Sequence, residues 1–381
     1  MANADLAQLE KESAKPLATP GPSVPALAAL LDETAGLITR YIALPGEGVQ
    51  MLVALWIAMT YTFRKFSFCG YLALRSATPR CGKSRLLRLM AQLANGNPPV
   101  TGTPSAALLI RRTRDVFILD EVDKLRNADK DAYGEVIAVL NIAFDSGGCF
   151  EKLEKTSGGG WAPKRFPVYG PVALAGIERL ADTLGDRAFQ LQMKRSPTRL
   201  PRLNSRRFAD IAATLREGFA SWAEHHTAAI ESVYLALPDE LTDLTGFDDR
   251  FQDIAEPLVV LATLADAEQS NGATPILPRL LTGLRAAAGQ REPSGREREL
   301  SAFLALIDDR LPSGADELFL SSSELLEAFR EHPDLSRIET GRALAGLLKH
   351  FELTPGTNTT KTIRGYWIRR AWLDEWTARY A

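Results

Sequence analysis

Apolar positions along the chain fall into distinct regimes. Between residues 25 and 63 they recur at helical spacing (Leu27, Leu30, Leu31, then Leu52, Leu55, Ile57), which predicts two helices. Residues 70–195 alternate short, fully apolar runs with amphipathic stretches. The runs at 71–74, 116–119 and 172–176 are strand-length, and helical patterns follow the first two. Strands apolar on both faces and separated by helices predict a parallel sheet covered by helices, an α/β fold. Residues 208–310 read as almost wholly helical. Ser321 to Glu324 then forms a capping-box pattern opening a helix, a second helix follows around residues 342–351, and FELTPGTNTTKTIRGYWI gives two short strand patterns around a turn-rich centre. Helix, helix and hairpin in that order resemble a winged helix.

Composition narrows the class. A chain of 381 residues suggests two or three domains, and 45% apolar with 24% charged residues excludes wholesale disorder. The net charge of −2, from 45 basic and 47 acidic residues, excludes a uniformly basic polyanion binder. Resolved locally, the charge is a near-cancellation: residues 236–268 sum to −8, residues 186–207 to +6 and residues 337–370 to +5. Cys69, Cys81 and Cys149 have neither disulfide-framework nor zinc spacing. The polar, Pro-rich first 24 residues lack a signal-peptide pattern and predict a flexible tail. The most apolar window, 51–60, is about half of a bilayer span. A cytoplasmic protein without a membrane partner is expected.

The chemistry concentrates after the first strand, in RSATPRCGKSRLLRLMAQL. Gly82-Lys83-Ser84 opens a helix, which offers backbone N–H groups, an ammonium and a hydroxyl to a triphosphate and its magnesium ion. The loop Thr78, Pro79, Arg80, Cys81, Gly82, Lys83, Ser84 and Arg85 is the candidate nucleotide cradle, although Ala77 stands where the full phosphate-loop pattern has glycine. Alone, GKS could be a basic helix start. About 35 residues on, DVFILDEVD is an apolar strand ending in Asp120-Glu121. There a strand-terminal Asp can hold magnesium while the adjacent Glu polarises water, so ATP and Mg2+ are the expected cofactors. Between the two signals, GTPSAALLIR reads as a helix capped by Ser105 or Thr103, and Cys81 reads as a small loop-filling side chain.

Further along, the strand at 172–176 occupies the position where a strand end senses the γ-phosphate. Ahead of it, residues 149–155 and 164–169 flank TSGGGWAP and predict a β-hairpin. That hairpin is either a solvated edge or, as in the pre-sensor hairpin of AAA+ and superfamily 3 helicases, a DNA-touching element with Lys155, Trp161, Lys164 and Arg165 as tip candidates. Asp186-Arg187 before the strand 188–193 resembles the AAA+ segment that delivers an arginine finger to a neighbour. The competing reading is a pair holding a helix end. Six basic residues in fourteen follow, among them Arg195, a candidate second sensor of the nucleotide. They either meet nucleotide and DNA or pair with the acidic stretch.

The segments ALWIAMTY, ATPRCGKSRLL, ILDEVD, GPVALAGIERLADTLGDRAFQLQMKR and the C-terminal GLLKHFEL and IRGYWIRRAWLDEWTARY together resemble an uncharacterised family of P-loop ATPases, AAA+- and superfamily 3 helicase-like, from actinobacteria, phages and integrative elements. The resemblance extends from about residue 25 to the end, and that family shares the glycine-poor loop. It implies a ring-forming, DNA-dependent ATPase, a hexamer, acting in replication of a mobile element and linked to primase modules. The implied organisation is a tail (1–24), an N-terminal helical segment (25–69), an ATPase core (70–207), a helical lid (208–290), a linker and connecting helix (291–317) and a winged helix (318–381). In it Lys83 binds phosphate, Ser84 and Asp120 hold magnesium, Glu121 activates water and Arg187 completes the neighbour's site. The winged helix is either a DNA-binding or a protein-docking module; in the first case Arg342 and Lys349 lie on the helix offered to a DNA groove and Lys361 and Arg364 on the wing, while Trp367, Trp372, Trp376 and Tyr380 read as packing. Other classes are an ATP-switched initiator or loader and an ATP-driven defence or regulatory module.

Overall fold

The computed structural model describes residues 24–380 except 103, 113–115, 156–158, 177–181, 239–243, 245, 270–272, 291–294 and 313. The expected tail, the Thr103 cap, residues 177–181 ahead of Asp186 and residues 291–294 of the linker therefore lie outside the described residues. The chain divides into two compact units at residues 291/292.

The first unit opens with helices α1 (Leu27–Tyr41) and α2 (Val49–Met59), as the spacing predicts. Helix α2 is buried on all sides, and its Trp56 donates to the Gly70 carbonyl at 2.8 Å, which ties it to the entry of the sheet. Five strands follow in the order β2-β3-β6-β1-β7: β1 (Tyr71–Arg75), β2 (Val100–Gly102), β3 (Phe117–Asp120), β6 (Val172–Gly176) and β7 (Ala188–Gln192). All pairings are parallel, and β1, β6 and most of β3 and β7 are buried. Short β2 escapes the sequence pattern because Val100 and Thr101 are only partly buried, Gly102 is exposed and the three carry no apolar run.

The connections are helical. α3 (Lys83–Leu93) follows β1 and packs on β2, β3 and β6, with Leu86, Leu87, Leu89 and Leu93 inward. α4 (Ala106–Arg111) is capped by Ser105, which accepts from the Leu108 N–H at 3.2 Å. α5 (Val122–Ala128) and α6 (Lys130–Ile142) follow β3, and the antiparallel pair β4 (Cys149–Lys155) and β5 (Trp161–Pro167) stands between α6 and β6. After α7 (Asp182–Gly185) and β7 come α8 (Ser205–His225), α9 (Thr227–Leu235), α10 (Asp249–Ala267) and α11 (Ile276–Ala288).

These last helices share one continuous apolar core with α1, α2 and the sheet. The boundaries expected at 69/70 and 207/208 therefore do not divide separate cores. Part of the acidic stretch is structural. Asp266 accepts from the Ile276 and Leu277 N–H groups at the start of α11, and buried Glu268 accepts from the Leu27 N–H at 2.7 Å and Trp222 Nε1 at 2.5 Å.

The second unit contains α12 (Gly295–Arg310), β8 (Glu317–Ser321), α13 (Ser322–Glu331), α14 (Gly341–His350), β9 (Gly356–Thr357), β10 (Arg364–Arg369) and α15 (Arg370–Tyr380). Its three strands are antiparallel in the order β8-β10-β9, and Ser321 with Glu324 forms the expected capping box. Gly365 is required where β10 meets β8, because a Cβ there would lie 2.2 Å from the Leu320 carbonyl oxygen. This unit begins ahead of the expected boundary at 318. Helix α12, read in sequence as a connector, supplies Phe303 to the core. That ring is fully buried against Phe329, Phe351 and Trp372. Phe303→Ala is expected to cost about 3–5 kcal/mol of this unit's stability, read as a lower-urea transition in tryptophan fluorescence of the full chain. An unshifted transition would contradict its place in the core. Trp372 and Trp376 pack on Phe351, and Trp367 packs on Phe319, as expected of packing residues.

Candidate functional site

The parallel register places the C-terminal ends of Arg75, Gly102, Asp120, Gly176 and Gln192 along one edge of the sheet. The loop after β1 and the acidic end of β3 therefore face the same side. Because β6 lies between β1 and β3, their ends are two strand spacings apart, about 10 Å. That gap is a cleft of about 570 Å³ lined by residues 79–85 on one side and Asp120, Glu121, Lys124 and Asn127 on the other, with Gly176 at its floor.

Within the loop, Lys83 donates to the Ser76 hydroxyl, which donates in turn to the Thr78 carbonyl at 2.7 Å. Cys81 is buried inside the turn and hydrogen-bonds the Thr78 carbonyl at 3.1 Å, the loop-filling role expected of it. Two residues take the left-handed conformation: Arg80 at φ 65° and Gly82 at φ 92°. Gly82 is the helix cap, and its φ suits glycine. Arg80, three residues after Ala77, holds the other turn without glycine. Ser84 is exposed in the first turn of α3, and Arg85 donates to the Tyr41 and Pro201 carbonyls rather than into the cleft.

Across the cleft, Asp120 is half-buried at the strand end. Glu121 is exposed and has φ 58°, a strained conformation for a residue with a side chain. Its carboxylate is held by Lys124 at 2.6 Å. The Ser84 hydroxyl and the Asp120 carboxylate are hard oxygen donors on opposite walls, a donor set that suits magnesium shared with phosphate and water. Among the described residues no group of three His, Cys, Asp or Glu side chains forms a separate metal cluster.

The other expected site residues lie elsewhere. Arg187 precedes β7 and, through the Tyr71↔Ala188 register, sits at the sheet edge opposite the loop, about 13 Å away along β1. It donates to the Thr183 carbonyl and stacks over Phe144 at 4.8 Å. Burial, reinforced by Arg250, pulls its guanidinium pKa below the ordinary value. Exposed Arg195 follows β7 on the cleft's edge of the sheet.

The predicted hairpin is present as β4–β5. Lys155 pairs with Trp161 nearest the turn, the Lys155 ammonium lies 5.6 Å from the Trp161 ring centre, and Trp161 is 64% exposed. Lys164 and Arg165 are not at the tip. They lie down the β5 arm, tied to Glu154 at 2.9 Å and Glu151 at 2.6 Å, because the register sets each near an acid of β4.

In the second unit, Arg342 and Lys349 are exposed and two helical turns apart on α14. Lys361 and Arg364 are exposed in and after the β9–β10 connection, where Asn358 Oδ1 accepts from the Thr362 and Ile363 N–H groups.

Sequence reasoning missed Ser76, Lys124 and Asn127. The signal for the last two was available, since Glu121, Lys124 and Asn127 recur every third residue from the strand end.

No family model matches the chain, and no curated protein sequence matches it. Among solved structures, an active helicase described as SCCmec type IV Cch is similar at 11% identity and a TM-score of 0.44. The similarity covers 91% of this chain and 71% of that one. The protein has a mixed α/β fold whose five-stranded parallel sheet, flanked by helices, is compatible with a P-loop fold. Among the described residues no helix is long and apolar enough to cross a membrane.

Proposed function

We propose that the chain is a DNA-dependent ATPase, a ring-forming helicase or translocase of a mobile genetic element or phage. The observation that carries this reading is the single cleft in which Gly82-Lys83-Ser84, at a helix start, faces Asp120-Glu121 at a strand end. A triphosphate lies along the loop N–H groups, with Lys83 over its outer phosphates and Arg195 reaching it from the end of β7. Ser84 and Asp120 would hold magnesium, which would supply charge to offset that of the phosphates. Glu121 orients a water for in-line attack on the terminal phosphorus. The bond to the ADP oxygen breaks as the new P–O bond forms, and the water's proton leaves through the carboxylate or the phosphate. Arg187 serves the neighbouring subunit's site in a ring, taken to be a hexamer.

DNA meets the hairpin at Lys155 and Trp161, one a charge for phosphates and the other an aromatic face for bases. In this reading the second unit is a winged helix with Arg342, Lys349, Lys361 and Arg364 toward DNA phosphates, helices α8–α11 form the lid, and a primase is a fitting partner. Single-stranded DNA is expected to raise ATP turnover. Trp161→Ala should weaken the DNA concentration dependence by about tenfold with DNA-free turnover intact. Turnover indifferent to DNA in the wild type would sink the helicase reading. Because the second unit has its own core, a second reading is an initiator or loader that docks DNA or a partner through that unit and uses ATP as a switch. Strand displacement separates the two.

A further inference from the structure

Lys124 is a cation of the cleft to which the ATPase reading gives no work. Glu121, Lys124 and Asn127 follow one another at three-residue intervals from the end of β3 along α5, and all three line the wall opposite the loop. The Lys124 ammonium is 2.6 Å from Glu121 Oε1, with the two side chains 65% and 53% exposed. An exposed ion pair at this spacing adds little to stability. It nevertheless occupies one oxygen of the carboxylate that the ATPase reading gives to the attacking water, on a residue whose φ of 58° already marks strain.

Among the described residues, the third strand end brings no second cation to the acidic wall. β6 was expected to sense the γ-phosphate, yet it brings only Gly176 to the cleft floor, and residues 177–181 lie outside the described residues. Among the described lining residues, Lys124 is the cation on the acidic wall.

We infer that Lys124 reads the terminal phosphate of a bound nucleoside triphosphate. Its ammonium pairs with Glu121 when the cleft is empty and moves to the γ-phosphate when a triphosphate enters, which releases the Glu121 oxygen to the water. The inference rests on the ATPase reading, which sets Glu121 beside the terminal phosphate. A cation bonded to that carboxylate is then within the reach of one flexible four-carbon side chain of the same phosphate. The doubly charged terminal phosphate outcompetes a single carboxylate for the ammonium. A diphosphate ends one phosphate short and leaves the Glu121–Lys124 pair intact. The side chain is largely exposed, so the swing carries little desolvation cost.

The test is calorimetric titration of the full chain with magnesium and either a non-hydrolysable ATP analogue or ADP, for wild type, Lys124→Met and Lys124→Arg. Lys124→Met is expected to weaken the triphosphate by about tenfold, the size of one lost charge-assisted hydrogen bond, and to leave ADP within about twofold. Lys124→Arg should recover most of the triphosphate affinity. Equal weakening of both nucleotides, or of neither, overturns the assignment, since a packing role would not tell them apart. A wild type that binds neither nucleotide overturns the ATPase reading and this inference with it. A wild type that binds both, with an unchanged Lys124→Met variant, overturns only the role of Lys124.

Discussion

Lys83→Ala is expected to abolish ATP hydrolysis, lowering kcat/KM by at least about 10²–10³-fold, the cost of removing one fixed donor from a phosphoryl-transfer site. The side chain is half-buried at the first position of α3 and donates to Ser76, the residue that joins β1 to the loop. Removing it leaves the apolar face of α3 in place, so the stability change should stay near the value of one hydrogen bond, about 1 kcal/mol. The two effects therefore separate: phosphate release collapses, and the unfolding transition hardly moves. Phosphate-release assays with and without single-stranded DNA provide the check. DNA-stimulated turnover that survives in Lys83→Ala would remove Lys83 from the site and place hydrolysis outside this cleft.

The two halves of the candidate site were legible in the sequence because each is local. Gly82-Lys83-Ser84 and Asp120-Glu121 are each contiguous, and each ends or begins an element whose apolar pattern is strong. Their meeting across one cleft depends on parallel pairing, which the fully apolar runs at 71–74, 116–119 and 172–176 already implied. What was not legible depends on geometry between segments. Lys164 and Arg165 read as tip residues because sequence gives a hairpin without its register, and register alone sets them beside Glu154 and Glu151. Strand β8 was missed because its apolar residues merge into the capping-box signal that follows. Helix α12 read as a connector because its charged start, GRERE, continues the linker pattern, and its Phe303 has meaning only against Phe329 and Phe351, which lie 26 and 48 positions later.

Arg187→Ala is expected to retain nucleotide binding and to lose about 10³-fold in turnover, the contribution typical of an arginine supplied to a phosphoryl-transfer site. The position of Arg187 decides how this must work. It stands at the sheet edge opposite the loop, about 13 Å away along β1, so any contact with a nucleotide must be made in a second copy of the chain. Its present contacts, the Thr183 carbonyl and the Phe144 ring, fix the guanidinium beside the turn that precedes β7. Losing the ring contact costs on the order of 1 kcal/mol, too little to unfold the unit and mimic a catalytic loss. The decisive measurement mixes Arg187→Ala with Glu121→Gln, each inactive alone. In a head-to-tail ring assembled at random from equal amounts, about a quarter of the interfaces join an intact Glu121 site to an intact Arg187 donor. Turnover should return to about that fraction of wild type. A mixture no more active than its components would mean that Arg187 acts only within its own fold, as the residue that holds α7 against the Phe144 ring.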